Sequence, residues 1–269
     1  MLTEAQFVAQ QRLLGCRIHE NDGIFWEEIR PFYCKPAFVH QPFNRGVARP
    51  AVLRQLFGYS HQVRDSAQAN RWLSMMVVDR RTLDGFHLQQ LPQKKRNNVR
   101  RARERCDVRP IVDIDSNLER LREINVAQAL RHAQGTGSNT PPERYARDAD
   151  DWRNQMRREF ALEGREWWGA FVEGVLAAYL RTYQVNGIRI IQQTKADTAW
   201  LKFYPMDALY FDMLSRASAD STCVRIVNGS PLHPSLNHYK EQFLFRAVSV
   251  PYYSSNARMI EWAKRWRKQ

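Results

Sequence analysis

Apolar positions along the chain follow two rhythms, and their order predicts the architecture. Up to about Asp84 they come in short bursts. Ile24-Phe25-Trp26 and Phe32-Tyr33 read as strands divided by polar or proline positions, and Pro31, Pro36, Pro42 and Pro50 punctuate the stretch. Arg71–Asp79 closes on Met75-Met76-Val77-Val78, an apolar run typical of a buried strand. A helical rhythm follows Pro92: Val99, Ala102 and Cys106 form an apolar stripe over Lys94–Arg105, beside a second face carrying Arg96, Arg100 and Arg103. Val108–Ile114 alternates like a strand, and Asp115 or Ser116 is placed to cap a helix over Leu118–Arg131. A glycine-, serine- and proline-containing break spans His132–Pro142, and Pro142–Glu163 is helical with Tyr145, Trp152, Met156 and Phe160 along one side.

The period then changes to that of a sheet. Trp167–Val172 and Val175–Tyr183 are strands joined at the hairpin pair Glu173-Gly174, and Asn186-Gly187 turns the chain into a strand over Ile188–Thr194. Helix Pro205–Ala219, strand Cys223–Val227, helix Pro234–Phe245 and strand Val248–Tyr252 complete the pattern. Helices followed by a meander, then alternating elements, predict an α+β domain rather than a doubly wound one.

Composition agrees with a globular chain: 269 residues, 43% hydrophobic and 26% charged. The formal charge of +13 is the unusual quantity, and it favours polyanionic partners such as nucleic acid, anionic lipid or phosphorylated small molecules. Cys16, Cys34, Cys106 and Cys223 are scattered singly, so no disulfide framework or structural zinc site is expected, and the thiols suit the cytoplasm. The N-terminus lacks a signal-peptide core, and no segment approaches the ~20 apolar residues of a membrane span. A soluble cytoplasmic protein is the expectation. Trp262 and Trp266, among Lys264, Arg265, Arg267 and Lys268, form a basic tail that either docks on the domain or contacts an anionic membrane surface or RNA.

Four segments together resemble the FemAB-like branch of the GNAT acyltransferase superfamily. KKRNNVRRARER is similar to that branch's arginine-rich helix, K-x-R-x-x-I-R-R-A, and WWGAFVEGVLAAYLRTY to the strand–turn–strand bearing F-x-x-G-x-x-A. PMDALYFDMLSRASADSTCVRIVNGS resembles the helix and strand of the acyl-donor half, and HPSLNHYKEQFLFRAVSVPYY the closing l-x-x-F/Y-K-x-x-F segment. The resemblance implies a GNAT-like, largely antiparallel sheet flanked by helices over 91–253. It further implies a degenerate second GNAT-like half within 1–90, with 254–269 as the tail. It implies acyl or aminoacyl transfer from acyl-CoA or aminoacyl-tRNA to an amine or hydroxyl, a nucleotide-linked amino sugar of envelope synthesis among the acceptors. One departure stands out: QTKADTAWLKFYPMDALYF has no glycine where coenzyme A-binding relatives carry a Q/R-x-x-G-x-G/A turn around the pyrophosphate.

Candidate site residues follow from this alignment. Lys95, Arg96, Arg100 and Arg101 are placed to grip a phosphate chain or tRNA backbone, the competing reading being a solvated helix face. His233 is a candidate general base, or simply a turn residue, with Asn228, Gly229 and Ser230 beside it as donors. Tyr204 is a candidate for protonating the leaving group, Tyr210 lies where the donor would sit, and Asp207 reads as a helix cap. Lys240 matches the family's closing-segment lysine and would hold a donor or acceptor phosphate. No metal-ligand spacing and no Ser-His-Asp signature occurs. Two other readings stay open: a nucleic-acid-binding protein using the basic helix, and a non-catalytic GNAT-like scaffold.

Overall fold

The computed structural model of the chain describes residues 1–257 apart from 55, 134–140, 144 and 146–147. In chain order the elements are α1 (Glu4–Leu13), β1 (Ile18–Asn21), β2 (Ile24–Arg30), β3 (Tyr33–Pro36), β4 (Gly58–Gln62), β5 (Arg71–Asp79), α2 (Arg80–Leu83) and α3 (Gln93–Arg105). Then come β6 (Asp107–Pro110), α4 (Leu118–Ala133), α5 (Ala149–Phe160), β7 (Arg165–Val172), β8 (Val175–Val185) and β9 (Ile188–Ala196). The last are α6 (Pro205–Ala219), β10 (Arg225–Val227), α7 (Pro234–Glu241) and β11 (Arg246–Ser254). This is the expected α+β class with a mostly antiparallel sheet flanked by helices.

Two compact units emerge, one of Met76–Ala247 and one of Leu2–Met75 with the stretch from Val248 on. In the first, β5, β10, β9, β8, β7 and β6 lie side by side. All neighbours are antiparallel except β10 and β9, which run parallel. Helices cover both faces. Val99 and Ala102 of α3, Met213 and Leu214 of α6, and Leu180 of β8 share one core; Leu121 and Ile124 of α4, Met156 of α5, and Trp167 and Tyr179 share the other. In the second unit β1, β2, β3, β4 and β11 pair in that order around Trp26, Tyr59 and Ile24.

Both expected hairpins form, and their left-handed residues explain why those sequences turn. Glu173-Gly174 and Asn186-Gly187 have positive φ at both positions, the geometry that matches strand twist. Several expected boundaries move. The strand over Val108–Ile114 ends at Pro110: the Ile111 N–H still reaches the Trp167 carbonyl of β7, but Ile111 and Ile114 both bury against α4 and α5. The turn into α4 is made by Asp113, whose carboxylate accepts from the N–H groups of Asp115 and Ser116, rather than by a cap at Asp115 or Ser116. The helix expected over Pro234–Phe245 stops at Glu241. Leu244 enters the left-handed region (φ 65°), and the Phe245 N–H reaches back to the Lys240 carbonyl, so that Phe243 and Phe245 both point into the core. Of Pro142–Glu163, the helix present among the described residues is Ala149–Phe160. Helix α1 was not expected; its Thr3-Glu4-Ala5-Gln6 start is a reciprocal capping box. Most of the break at His132–Pro142 and the basic tail with Trp262 and Trp266 lie outside the described residues.

Gly187 has no room for a side chain against the backbone it faces. At φ 81°, an added Cβ would sit 2.9 Å from the Thr222 carbonyl oxygen. Gly187→Ala is therefore expected to destabilise by about 1–3 kcal/mol, combining left-handed strain with backbone displacement. Urea denaturation would measure it; an unchanged midpoint would contradict this account of the turn.

Candidate functional site

The distinctive feature of the first unit is a sheet that opens on one side of a single strand. β9 pairs with β8 over Ile188–Ala196, but with β10 only over Ile188–Ile190. The cause is local. Arg181 pairs with Gln193 and Thr182 with Ile191, leaving Gln192 as an extra residue in β9. Such a bulge bends its strand and increases local twist, and it falls two residues past the last pairing with β10. The chain beyond β10 stays with β5 instead: the Asn228 N–H donates to the Met76 carbonyl, and the Met76 N–H to the Gly229 carbonyl, both at 2.8 Å. Past Ile190, among the described residues, β9 therefore has an edge with no strand partner.

Buried polar side chains fill the α6 side of that opening. The Asn228 side-chain amide donates to the Tyr210 hydroxyl at 2.8 Å, and Thr194 of β9 also hydrogen-bonds that hydroxyl. Burial pushes Tyr210 up to about 12, with both hydrogen bonds opposing it. Lys240 donates to the Asn228 carbonyl oxygen at 2.6 Å, and burial holds its ammonium below the usual lysine range. The Tyr239 ring meets Tyr210 edge-on at 5.6 Å, and its hydroxyl donates to Asp207 at 2.7 Å. Asp207 also takes the Lys95 ammonium at 3.1 and 3.2 Å, with only 5% of either side chain exposed. Desolvation lowers the Lys95 pKa, against the pull of Asp207, and its charge lies 4.2 Å over the Tyr239 ring.

The opposite face, under α4 and α5, carries a cleft of about 960 Å³. Tyr145, Trp152, Met156, Arg158, Arg181 and Gln193 are among its lining residues. Arg181 is paired with Glu159 at 2.6 Å and lies over the Trp167 ring, yet its Nε has no hydrogen-bond partner among the described residues. The same is true of the Gln193 Oε1 beside it. Buried polar atoms left so are costly unless a bound molecule satisfies them. Two residues along β9, Lys195 shares this face. Its ammonium is held below the usual lysine range by burial, then by the Arg181 and Arg131 charges.

Of the residues expected at a site, Lys95, Tyr210, Asn228 and Lys240 come together in the α6-side cluster. Arg96, Arg100 and Arg101 lie on the outer side of α3, where Arg96 donates to the Gln89 carbonyl and Arg100 to Asn97. Tyr204 adopts φ 57° at the entry to α6, followed by Pro205 at the first helical position. His233 is exposed, at the N-cap of α7, with Nδ1 engaged by Ser235. Asp207 is no cap: its carboxylate is spent on Lys95 and Tyr239. Thr194, Tyr239, Arg181, Gln193 and Lys195 were missed, although the polar run Gln192-Gln193-Thr194-Lys195 inside a strand signals Gln193, Thr194 and Lys195. No group of metal-ligating side chains occurs among the described residues.

No family model matches the sequence. No curated protein is recognisably similar to it in sequence. Solved structures do match. FemX superposes with a TM-score of 0.63 at 9% identity, covering 93% of this chain and 90% of that one. The C-terminal domain (DUF2156) of a candidate lysylphosphatidylglycerol synthetase from Agrobacterium fabrum gives 0.57 at 10% identity, covering 94% and 87%. L-PGS from Bacillus licheniformis gives 0.51 at 13%, covering 94% and 92%. The fold of this chain is thus that of FemX and of the lysylphosphatidylglycerol synthetase C-terminal domain, as the motifs' resemblance led one to expect.

The Lys95–Asp207 pair is testable as a structural tie between α3 and α6. Asp207→Ala strands a buried ammonium and is expected to cost about 3–5 kcal/mol. Replacing the group together, Lys95→Met with Asp207→Leu and Tyr239→Phe, should cost much less. Chemical denaturation of the set decides, and a triple variant as unstable as Asp207→Ala would refute this role.

Proposed function

We propose that the unit Met76–Ala247 transfers an acyl group, specifically an aminoacyl group, from an activated ester to an amine or hydroxyl. The observation that carries this reading is the opening of β9 from β10 beyond Ile190, with polar groups packed on both sides of it. In such a site the acceptor nitrogen or oxygen forms a bond to the donor carbonyl carbon, and the bond from that carbon to the leaving oxygen breaks. The acceptor loses one proton and the leaving oxygen gains one. Positioning and stabilisation of the transient oxyanion supply most of the acceleration, and the unpartnered edge of β9 provides backbone N–H groups for the second task.

We assign removal of the acceptor proton to Lys195, which burial and the Arg181 and Arg131 charges hold below the usual lysine range, so its neutral amine forms at lower pH than a solvated lysine's. The His233 Nδ1 is occupied by capping. Tyr204 remains our candidate for protonating the leaving oxygen. For the donor, the start of α6 speaks against a coenzyme A cradle: Pro205 has no N–H to offer, and Trp200, Phe203 and Tyr204 fill the approach where glycines would leave space. The row Arg96, Arg100 and Arg101 suits a phosphodiester backbone such as that of a charged tRNA. The name lysylphosphatidylglycerol synthetase joins an aminoacyl group to a lipid, which supports aminoacyl transfer in envelope synthesis as the cytoplasmic role of this chain.

Two measurements test the reading. A thermal-shift screen of charged tRNA, acyl-CoAs and nucleotide-linked amino sugars should single out charged tRNA. At about a hundred times its Kd, a donor stabilises by about 2.7 kcal/mol, several degrees in Tm. Arg96→Ala or Arg100→Ala should abolish the shift, and indifference to every donor would leave a scaffold. In a transfer assay, the rate should rise with pH through a pKa below the ordinary lysine value of 10.5. Lys195→Met should lose that limb and at least about a hundredfold in rate; an unchanged pH profile would remove Lys195 from the role.

A further inference from the structure

The second unit carries a surface that its own folding does not explain. Phe32 occupies the turn between β2 and β3 with φ 59°, a left-handed conformation that a bulky side chain adopts only under strain. Glycine or asparagine would serve that turn better. Instead a phenyl ring is held out into solvent, 41% exposed. Beside it stands Phe57, 56% exposed, with ring centroids 5.9 Å apart. The Phe57 N–H donates to the Phe32 carbonyl at 3.0 Å, and the Phe57 carbonyl accepts from Asn256, so the two loops are tied together and to the strand end beyond β11. Val52, Leu53 and Leu56 on the same loop are more exposed still, Leu53 at 81%. Neither a strained turn nor five exposed apolar side chains contributes to the core around Trp26.

Charge along the sequence of these loops is mostly positive. From Pro31 to Arg64 the sequence contains Lys35, Arg45, Arg49, Arg54 and Arg64, and no aspartate or glutamate. Arg30, Arg45 and Arg49 are exposed. Aromatic and aliphatic side chains projecting from loops whose sequence is mostly basic, with Glu28 as the carboxylate at the turn, where it accepts from the Phe32 N–H, match the two layers of an anionic membrane surface. The apolar tips enter the acyl boundary while the guanidinium groups meet phosphate headgroups.

We propose that this unit docks peripherally on anionic phospholipid through the turn at Phe32 and the loop carrying Val52, Leu53, Leu56 and Phe57. The exposed aliphatic residues favour lipid over RNA, which would be met by stacking aromatic faces alone. The shared positive charge disfavours a second copy of the chain on the same face. The proposal is independent of the transfer chemistry assigned above.

Co-sedimentation of the full chain with vesicles tests it, comparing phosphatidylcholine alone with equal parts phosphatidylcholine and phosphatidylglycerol. Binding is expected to the anionic vesicles only, and to weaken as salt rises. Leu53→Ser with Phe57→Ser should reduce the partition coefficient by about tenfold or more. Arg30→Gln with Arg49→Gln should reduce it by about tenfold as well. The serine pair leaves the core untouched and should keep the parent thermal midpoint; Arg30 lies 5.0 Å over the buried Tyr33 ring, so the glutamine pair is compared only after its own midpoint shows it folded. Equal binding to both vesicle types, or full binding by the serine pair, would overturn the proposal. So would a parent chain that light scattering shows as a dimer and the serine pair as a monomer, since the patch would then be a self-association face. Loss of binding to an RNA oligomer in the serine pair, with vesicle binding intact, would reassign it to nucleic acid.

Discussion

The parallel pairing of β9 with β10 ends after Ile190, and much of the first unit is arranged around that limit. A strand inside a sheet normally satisfies its backbone on both sides. Here the extra residue Gln192 bends β9 away while β8 holds its other side in register to Ala196. An unmatched edge inside a protein is unfavourable unless its surroundings supply polar partners. Thr194, Tyr210, Asn228 and Lys240 line one face of the opening, each bonded to the next, so it is held at a defined geometry.

The cations of this chain divide into those that build and those that remain available. Lys95 and Lys240 are buried, and their ammonium groups are consumed by Asp207 and by the Asn228 carbonyl. Arg120 reaches Asp197 and the Leu176 carbonyl, binding α4 to the end of β9 and the start of β8. By contrast, Arg100 and Arg101 on α3, and Arg30, Arg45 and Arg49 in the second unit, face solvent. A strongly basic composition is therefore not one property. Its buried share fixes helices to a sheet, where a lone charge would be far more damaging than the pair is stabilising. Its exposed share gives each unit a surface suited to phosphate.

Much of the architecture was legible from local pattern, because hairpins, amphipathic helices and apolar strands are specified by residues close in sequence. Asn186-Gly187 turns because both positions tolerate positive φ, and Val99, Ala102 and Cys106 mark the inward stripe of α3 at helical spacing. Where expectations failed, a distant contact had outweighed the local signal. Ile111 and Ile114 alternate like a strand but bury in a helix–sheet core, and Asp207 sits where a cap belongs but answers a lysine 112 positions away.

The sequence by itself therefore determined the order and type of elements, the two hairpins, the basic helix and the absence of a glycine cradle before α6. Only the tertiary structure decided which basic residues are structural, that β9 parts from β10, and that Gln193 and Arg181 share one cleft wall with Lys195 on the same sheet face. Periodicity records which way a side chain points relative to its own backbone. Whether an ammonium is solvated or sealed against a carboxylate depends on what packs over it, and that partner is set by long-range folding rather than by neighbours along the chain.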